Sequence, residues 1–339
     1  MSIKNEISIP KGYKSSLSIR ETELAIKLIK DFFEHDLAYR LHLTRVSAPL
    51  FVKPSTGLND NLNGIERPVS FDVKDLDGEF VEVVQSLAKW KRDALKRYGF
   101  KINEGLYTDM NAIRRDEETD NLHSIYVDQW DWEVSIEKSQ RTLDTLQRTV
   151  REIYQTMKDT EILINQKYPD IMPILPEEIF FMTTQELEDA YPKLDPKQRE
   201  DAICLKKKAV FLMQIGGQLK GGDKHDGRAP DYDDWSLNGD ILVYNPLLER
   251  AFEISSMGVR VDETVLVKQL TLAHCLDRLN FPFHQAIFNQ DLPYSIGGGI
   301  GQSRLCMFFL RKAHIGEVQA SVWPLETETF CLKRHINLL

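Results

Sequence analysis

Apolar positions along the chain fall into two rhythms, one of three to four residues and one of two, which predict helices interleaved with strands. Ala25, Leu28, Ile29, Phe32, Phe33 and Leu37 recur at helical spacing and predict a helix from about Ser18 to Leu41. LAKWKRDALKRYG predicts another, capped by Ser86 and run out at Gly99. Leu143, Leu146, Val150, Ile153 and Met157 mark a long amphipathic helix, and Asp195-Pro196 opens a further one. Two more are expected near 262–274 and 302–312. The two-residue rhythm predicts strands at VSAPLF (46–51), EFVEVVQ (79–85), HSIYVDQWDWE (123–133), EEIFFMT (177–183), AVFLMQIG (209–216), DILVYN (240–245), AFEISS (251–256) and SIGGGIG (295–301). Pro49 suits an edge or bulge in the first of these. Hairpin-like strand pairs flanked by helices of unequal length predict an α+β fold with a mostly antiparallel central sheet, not a doubly wound one. With no repeat, low-complexity tract or Gly/Ser linker, residues 1–339 are expected to form a single continuous domain with a short extension at about 1–17.

Charge narrows the class. A net charge of −9 with a pI near 5.5 provides no broad basic field for a nucleic-acid backbone, while local Arg and Lys remain able to bind a small anion. No apolar run approaches the roughly 20 residues of a membrane span, and the start lacks a secretory apolar segment. The four cysteines are scattered without metal-binding spacing, which fits free thiols in the cytoplasm.

Three segments hold candidate chemistry. In SIGGGIGQSR (295–304) three consecutive glycines and Gly301 allow close approach of the backbone, and Arg304 follows in the first turn of a helix. Neither the Rossmann fingerprint nor the P-loop is present. In the 123–133 strand, Val127, Gln129, Asp131 and Glu133 share one face and Tyr126, Asp128, Trp130 and Trp132 the other. The polar face reads either as a solvated edge or as the floor of a polar cleft. Asp231, Asp233, Asp234 and Asp240 fall within ten residues, as a cation or ammonium site or as solvated turns. Glu253, between Phe252 and Ile254, needs a cationic partner.

GLNDNLNG (57–64), VVQSLAKWKR (83–92), GLYTDMNAIR (105–114), YVDQWDWE (126–133), RAPDYDDW (228–235), LNGDILVYNP (237–246), FEISSMGVR (252–260) and IGGGIGQSR (296–304) together resemble the signature segments of ammonia-dependent asparagine synthetase. That family is similar in fold to class II aminoacyl-tRNA synthetase cores. The resemblance implies that ATP activates the side-chain carboxylate of aspartate and that ammonia then displaces AMP, with magnesium as the cation. It implies that Asp60, Ser86, Lys91, Gln129 and Asp131 line the aspartate and ammonia side, with Asp231 close by. It implies that Arg114, Asp240, Glu253, Ser256, Arg260 and Arg304 line the ATP side. There Arg114 would meet the α-phosphate, Arg304 the triphosphate tail, and Glu253 and Asp240 the metal. Asp60, Arg114 and Gln129 are the expected catalytic residues. The N-terminal helix with Pro49 resembles the dimer-forming first class II motif and implies a homodimer. Two stretches depart from the family pattern: only Ser236 separates DDW from LNGD, and Ala273–Leu276 replaces an acidic run.

The chemistry needs such groups because a carboxylate offers ammonia no usable leaving group until AMP is attached. Two other functions compete: a tRNA-charging synthetase core and a non-catalytic aspartate or asparagine sensor. The acidic charge and the expected lack of an anticodon-binding barrel oppose the first; Arg114, Gln129, Glu253 and Arg304 oppose the second. Glutamine-dependent synthetases use a nucleophilic cysteine at the processed N-terminus, whereas Ser2 follows Met1 here, so ammonia is the expected nitrogen source.

Overall fold

The computed structural model describes residues 7–62 and 64–339. Met1–Glu6, part of the expected extension, and Asn63 of GLNDNLNG lie outside them. Ser18 caps α1 (Ile19–Leu41) in a reciprocal box with Glu21, and the chain turns at His42 into β1 (Leu43–Arg45). The strand expected at 46–51 is not one. Only Val46 N–H continues the pairing, to Tyr107 O at 2.9 Å, and β2 is the short Phe51–Val52. Pro49 has no amide hydrogen to extend a ladder. β2, β3 (Ser70–Val73) and β4 (Glu79–Val83) form a small antiparallel sheet in the order β2-β4-β3.

α2 (Ala88–Arg97) stops before Gly99, whose φ of +72° is costly for any side chain. The helix starts after Leu87 rather than Ser86, although Ser86 Oγ still accepts the Ala88 N–H at 3.3 Å while donating to Asp60 Oδ2 at 2.7 Å. The hairpin β5 (Gly105–Ile113) and β6 (Tyr126–Ile136) leads to the long α3 (Leu143–Lys167). Next come β7 (Phe180–Thr183), α4 (Thr184–Ala190), α5 (Pro196–Lys207, capped by Asp195) and β8 (Ala209–Met213). β9 (Asp233–Asn245) starts earlier than expected, so Ser236 of the shortened segment lies inside a continuous strand. β10 (Arg250–Arg260), α6 (Glu263–Leu272), α7 (Pro282–Phe288), β11 (Tyr294–Gly301), α8 (Gln302–Phe309) and α9 (Leu325–Lys333) complete the chain.

The main sheet has the order β1-β5-β6-β11-β10-β9-β8-β7. Its six central strands pair antiparallel and only β1–β5 and β7–β8 are parallel, so the sheet is largely antiparallel, as expected, but mixed at its margins. The reason lies in the connections: α4 and α5 carry the chain from β7 back to begin β8 in the same direction, and the small sheet and α2 do the same from β1 to β5. One face of the sheet buries Trp130, Trp132, Met257 and Ile300 against Phe33 and Leu37 of α1 and Val150 and Ile153 of α3. Phe33 stacks on Trp130 at 4.8 Å. Each such large side chain adds about 1.5–3 kcal/mol by leaving water. The opposite face supplies the floor of a cleft. No described helix is long and apolar enough to cross a membrane.

Candidate active site

The register of β6 on β11 builds the cleft floor. Gln129 lies opposite Gly301, Asp131 opposite Gly299 and Glu133 opposite Gly297. Three polar side chains on one strand thus face three residues with none. A Cβ at Gly297 would collide with the Glu133 carboxylate, its Cδ only 2.6 Å away, and one at Gly299 would meet Asp131 Oδ1 at 2.7 Å. The space above is a cavity of about 460 Å3. Of the twelve expected site residues, Asp60, Ser86, Lys91, Arg114, Gln129, Asp131, Glu253, Ser256, Arg260 and Arg304 line it. Asp231 and Asp240 do not.

At one end stand Asp60, Ser86, Lys91 and Asp131. Asp60 Oδ2 accepts from Ser86 Oγ at 2.7 Å and from Tyr232 OH at 3.2 Å, and its Oδ1 accepts from Leu62 N–H at 2.9 Å. Lys91 is buried; its ammonium donates to Gly298 O at 2.7 Å and lies 3.3 Å from Asp131 Oδ1. Burial lowers the Lys91 pKa and Arg260 adds to the shift, against the pull of Asp131. Asp131 Oδ2 accepts the Leu87 N–H at 3.2 Å, fixing the start of α2 against the floor. Arg260, expected on the ATP side, belongs to this end. It is buried between Glu133 (Nε to Oε1, 2.9 Å) and Asp233, and its charge acts on Lys91.

At the other end Arg304, third residue of α8, donates to Glu253 O at 3.2 Å and lies 3.7 Å from Glu253 Oε2. Asp128 orients that helix by accepting Ser303 N–H at 3.0 Å. Burial would raise the Glu253 pKa, but Arg304, Arg228 and Lys197 outweigh it and leave the carboxyl lowered. Arg114 follows β5 on the cavity wall, with Glu117 Oε2 3.9 Å away. Asp240, opposite Ser256 across β9–β10, sits behind Arg228 and is ion-paired to it. Burial and the Glu253 charge push the Asp240 carboxyl up to about 7, against Arg228. Its Oδ1 is buried without a partner.

The acid cluster of 231–240 is dispersed. Asp231 is fully buried under Lys89 (2.8 Å), Arg278 (3.0 Å) and His284 (2.9 Å), which together hold it well below the usual carboxylate range despite burial. Asp233 pairs with Arg260 and Asp234 with Arg141. Among the described residues no group of three His, Cys, Asp or Glu gathers for a metal. Glu253 and Asp240, the expected metal pair, are close enough for their charges to act on one another. Sequence reasoning gave no role to Arg228, Tyr232 or Lys197, all of which line the cavity. Arg228 and Tyr232 lie in the quoted RAPDYDDW segment, the one signal that pointed at them.

The aspartate–ammonia ligase family model matches residues 20–335. An aspartate–ammonia ligase from Ruminiclostridium cellulolyticum is 64% identical over 335 residues, covering 99% of this chain and 100% of the relative. One from Pediococcus pentosaceus is 56% identical over 334 residues, covering 98% and 100%. Among solved structures, asparaginyl-tRNA synthetase from Pyrococcus horikoshii complexed with asparaginyl-adenylate superposes with a TM-score of 0.66 at 15% identity, over 90% of this chain and 71% of that one. The Entamoeba histolytica asparaginyl-tRNA synthetase gives 0.63 at 14%, over 89% and 67%. The synthetases thus share the class II fold, whereas the ligases share most of the sequence as well. The tRNA-charging and sensor readings are therefore not favoured, and the chain belongs to the aspartate–ammonia ligase family, enzymes that use ATP to join ammonia to aspartate as asparagine.

Proposed function

We propose that the cavity works as two half-sites sharing one floor, with Arg114 and Arg304 at the nucleotide end and Asp60, Lys91 and Asp131 at the amino-acid end. The observation that carries this reading is the separation of charge: Arg304 and Arg228 gather round Glu253, while Lys91 and Arg260 gather round Asp131 and Glu133. Lys91 and Arg260 would hold the carboxylates of aspartate, and Asp131 with Ser86 its ammonium group. Gln129, beside Asp131 and over Gly299 of β11, would steady the reacting carboxyl. A side-chain carboxylate oxygen attacks the α-phosphorus in line, Arg114 offsets the developing charge and Arg304 draws the pyrophosphate away. Ammonium, attracted to Asp60, gives up a proton there, and ammonia attacks the acyl carbon as AMP leaves.

Magnesium fits the carboxylate pair. Asp240 Oδ1 is an unpartnered buried oxygen, Glu253 opens to the cavity, and their charges act on one another. Two carboxylates are the usual protein share of a magnesium site whose other ligands are water and phosphate. Bound there, the ion would neutralise phosphate charge. Asp231 serves this reading by tying Lys89, Arg278 and His284 behind the amino-acid end.

Residues 1–339 act in this reading as a single catalytic domain, and the four unpaired thiols support a cytoplasmic setting. The exposed Leu24 and Tyr39 of α1, beside the edge strand β1, support a homodimer, which sedimentation equilibrium measures directly. The site reading is tested by aspartate-dependent pyrophosphate exchange into ATP. Arg114→Ala and Arg304→Ala should each lose about 100-fold or more, as for other groups that meet developing charge. Folded variants with near-wild-type exchange would overturn both assignments.

A further inference from the structure

Two cations at the nucleotide end, Arg228 and Lys197, have no substrate contact in the reading above. Arg228 stands on the cavity wall, its Nη2 paired with Asp240 Oδ2 and its Nη1 donating to Gly227 O at 3.1 Å. Asp240 lies deeper, 8% exposed against 16% for the arginine side chain, and is not itself on the wall. An anion entering the cavity therefore meets the guanidinium before the carboxylate. Arg228 is also one of the cations acting on Glu253, together with Arg304 and Lys197, so it belongs to the end where phosphate charge would collect. A planar guanidinium matches phosphate as well as it matches carboxylate, and phosphate oxygens carry more charge.

The surrounding chain allows the side chain to turn while its backbone stays put. Residues 214–232 between β8 and β9 contain five glycines, the last of them Gly227 beside the arginine. Directly after Arg228 the chain is pinned: Ala229 O accepts from Trp235 Nε1 at 3.2 Å and Pro230 O from Gln269 Nε2 at 3.0 Å. Tyr232, which reaches Asp60 at the amino-acid end, is on the same pinned stretch.

We propose that Arg228 is an exchange arginine: without nucleotide it is held by Asp240, and with ATP bound it turns to grip the terminal phosphates, releasing Asp240. The proposal rests on the two-half-site reading. It makes Arg228 a contact to the β- and γ-phosphates, distinct from Arg114 at the α-phosphate. AMP lacks those phosphates, so AMP and ATP report on the residue differently.

The test is titration calorimetry of ATP and of AMP, each with magnesium chloride, on wild type, Arg228→Gln and Arg228→Lys. The glutamine variant should bind ATP at least tenfold more weakly and AMP within twofold of wild type. The lysine variant, which keeps the charge but not the fork, should fall between. AMP binding doubles as the check that the cavity is intact, and the lysine variant keeps the test alive if the glutamine variant does not fold. Equal losses for ATP and AMP, or no loss for either, would overturn the exchange. A wild type that binds ATP and makes asparagine while Arg228→Gln binds ATP normally sinks this proposal alone. A wild type that does not bind ATP sinks the half-site reading beneath it.

Discussion

Asp60 shows how a single carboxylate can shape a turn and still face the cavity. Its Oδ1 takes the Leu62 N–H, the local bond by which aspartate commonly shapes turns, while its Oδ2 takes two hydroxyls that face the cavity. Asp60→Asn keeps an acceptor for the turn but replaces the charged oxygen with an amide. If Asp60 accepts the proton of ammonium, the variant should release pyrophosphate nearly as fast as wild type while asparagine formation falls about 100-fold or more, the usual worth of a positioned base. Rapid-quench measurement of both products decides it: equal loss would move Asp60 to aspartate binding, and no loss would leave it a turn residue. The alternation in β6 made Gln129 and Asp131 legible as one face, and the register on β11 explains why glycines stand opposite. The pairings that decide the rest were not legible. Arg260 meets Glu133 across 127 positions, and no local pattern told Asp231, sealed under three cations, from Asp240 behind Arg228.

Elements with strong periodicity or a chemical start signal were read within a few residues: α1 from about Ser18, α3 from Leu143, and α5 after Asp195-Pro196. VSAPLF failed because extended residues become a strand only when a neighbour pairs with them, and local pattern does not contain the neighbour. The same lack hid the parallel margins of the sheet. The 3-10 turn Ile315–Glu317, which periodicity does not mark at all, is held by His314. The Gly316 N–H donates to His314 Nδ1 at 3.0 Å, which leaves the ring proton on Nε2, and the ring packs edge-on to Trp323 at 4.8 Å. Glu317, the last residue of the turn, accepts from Tyr13 OH at 2.9 Å and from the His314 N–H at 3.1 Å. Burial pulls His314 down to about 4, with Asp120 opposing. Unfolded, a histidine titrates near 6.5, so between about 6.5 and 4 the unfolded chain binds the extra proton and stability rises with pH. The contribution is complete above about pH 6.5 and is lost as pH falls toward 4, by about 3 kcal/mol at most. His314→Asn keeps a cap acceptor without the titration. Denaturant unfolding at pH 7 and pH 5 should therefore show a smaller pH difference for the variant, whatever its absolute stability. An unchanged difference would assign the slope to other groups.

Across the whole molecule the placement of sulfur agrees with ammonia, the nitrogen donor of the family, as the nitrogen source. Use of glutamine through a cysteine nucleophile requires a thiolate that is exposed, lowered in pKa and next to a base. Here Cys204, Cys306 and Cys331 are buried, and burial pushes their thiols up, to about 12 for Cys306 and about 11 for Cys331. Cys275, the one with partial exposure, is also raised by burial and lies beside the Asp231 cluster. None of the four lines the active cavity. An acidic chain of net charge −9 is meanwhile suited to drawing in ammonium, and in the proposed reading Asp60 receives it. The expected outcome is that glutamine in ammonia-free buffer supports no asparagine formation beyond its trace ammonia, and that ammonium chloride restores the full rate. Alkylating the native protein should reach Cys275 alone and leave activity with ammonium largely intact, because that thiol touches no reacting group. Asparagine made efficiently from glutamine, and abolished by alkylation, would reveal a nucleophilic thiol and contradict the geometry of all four.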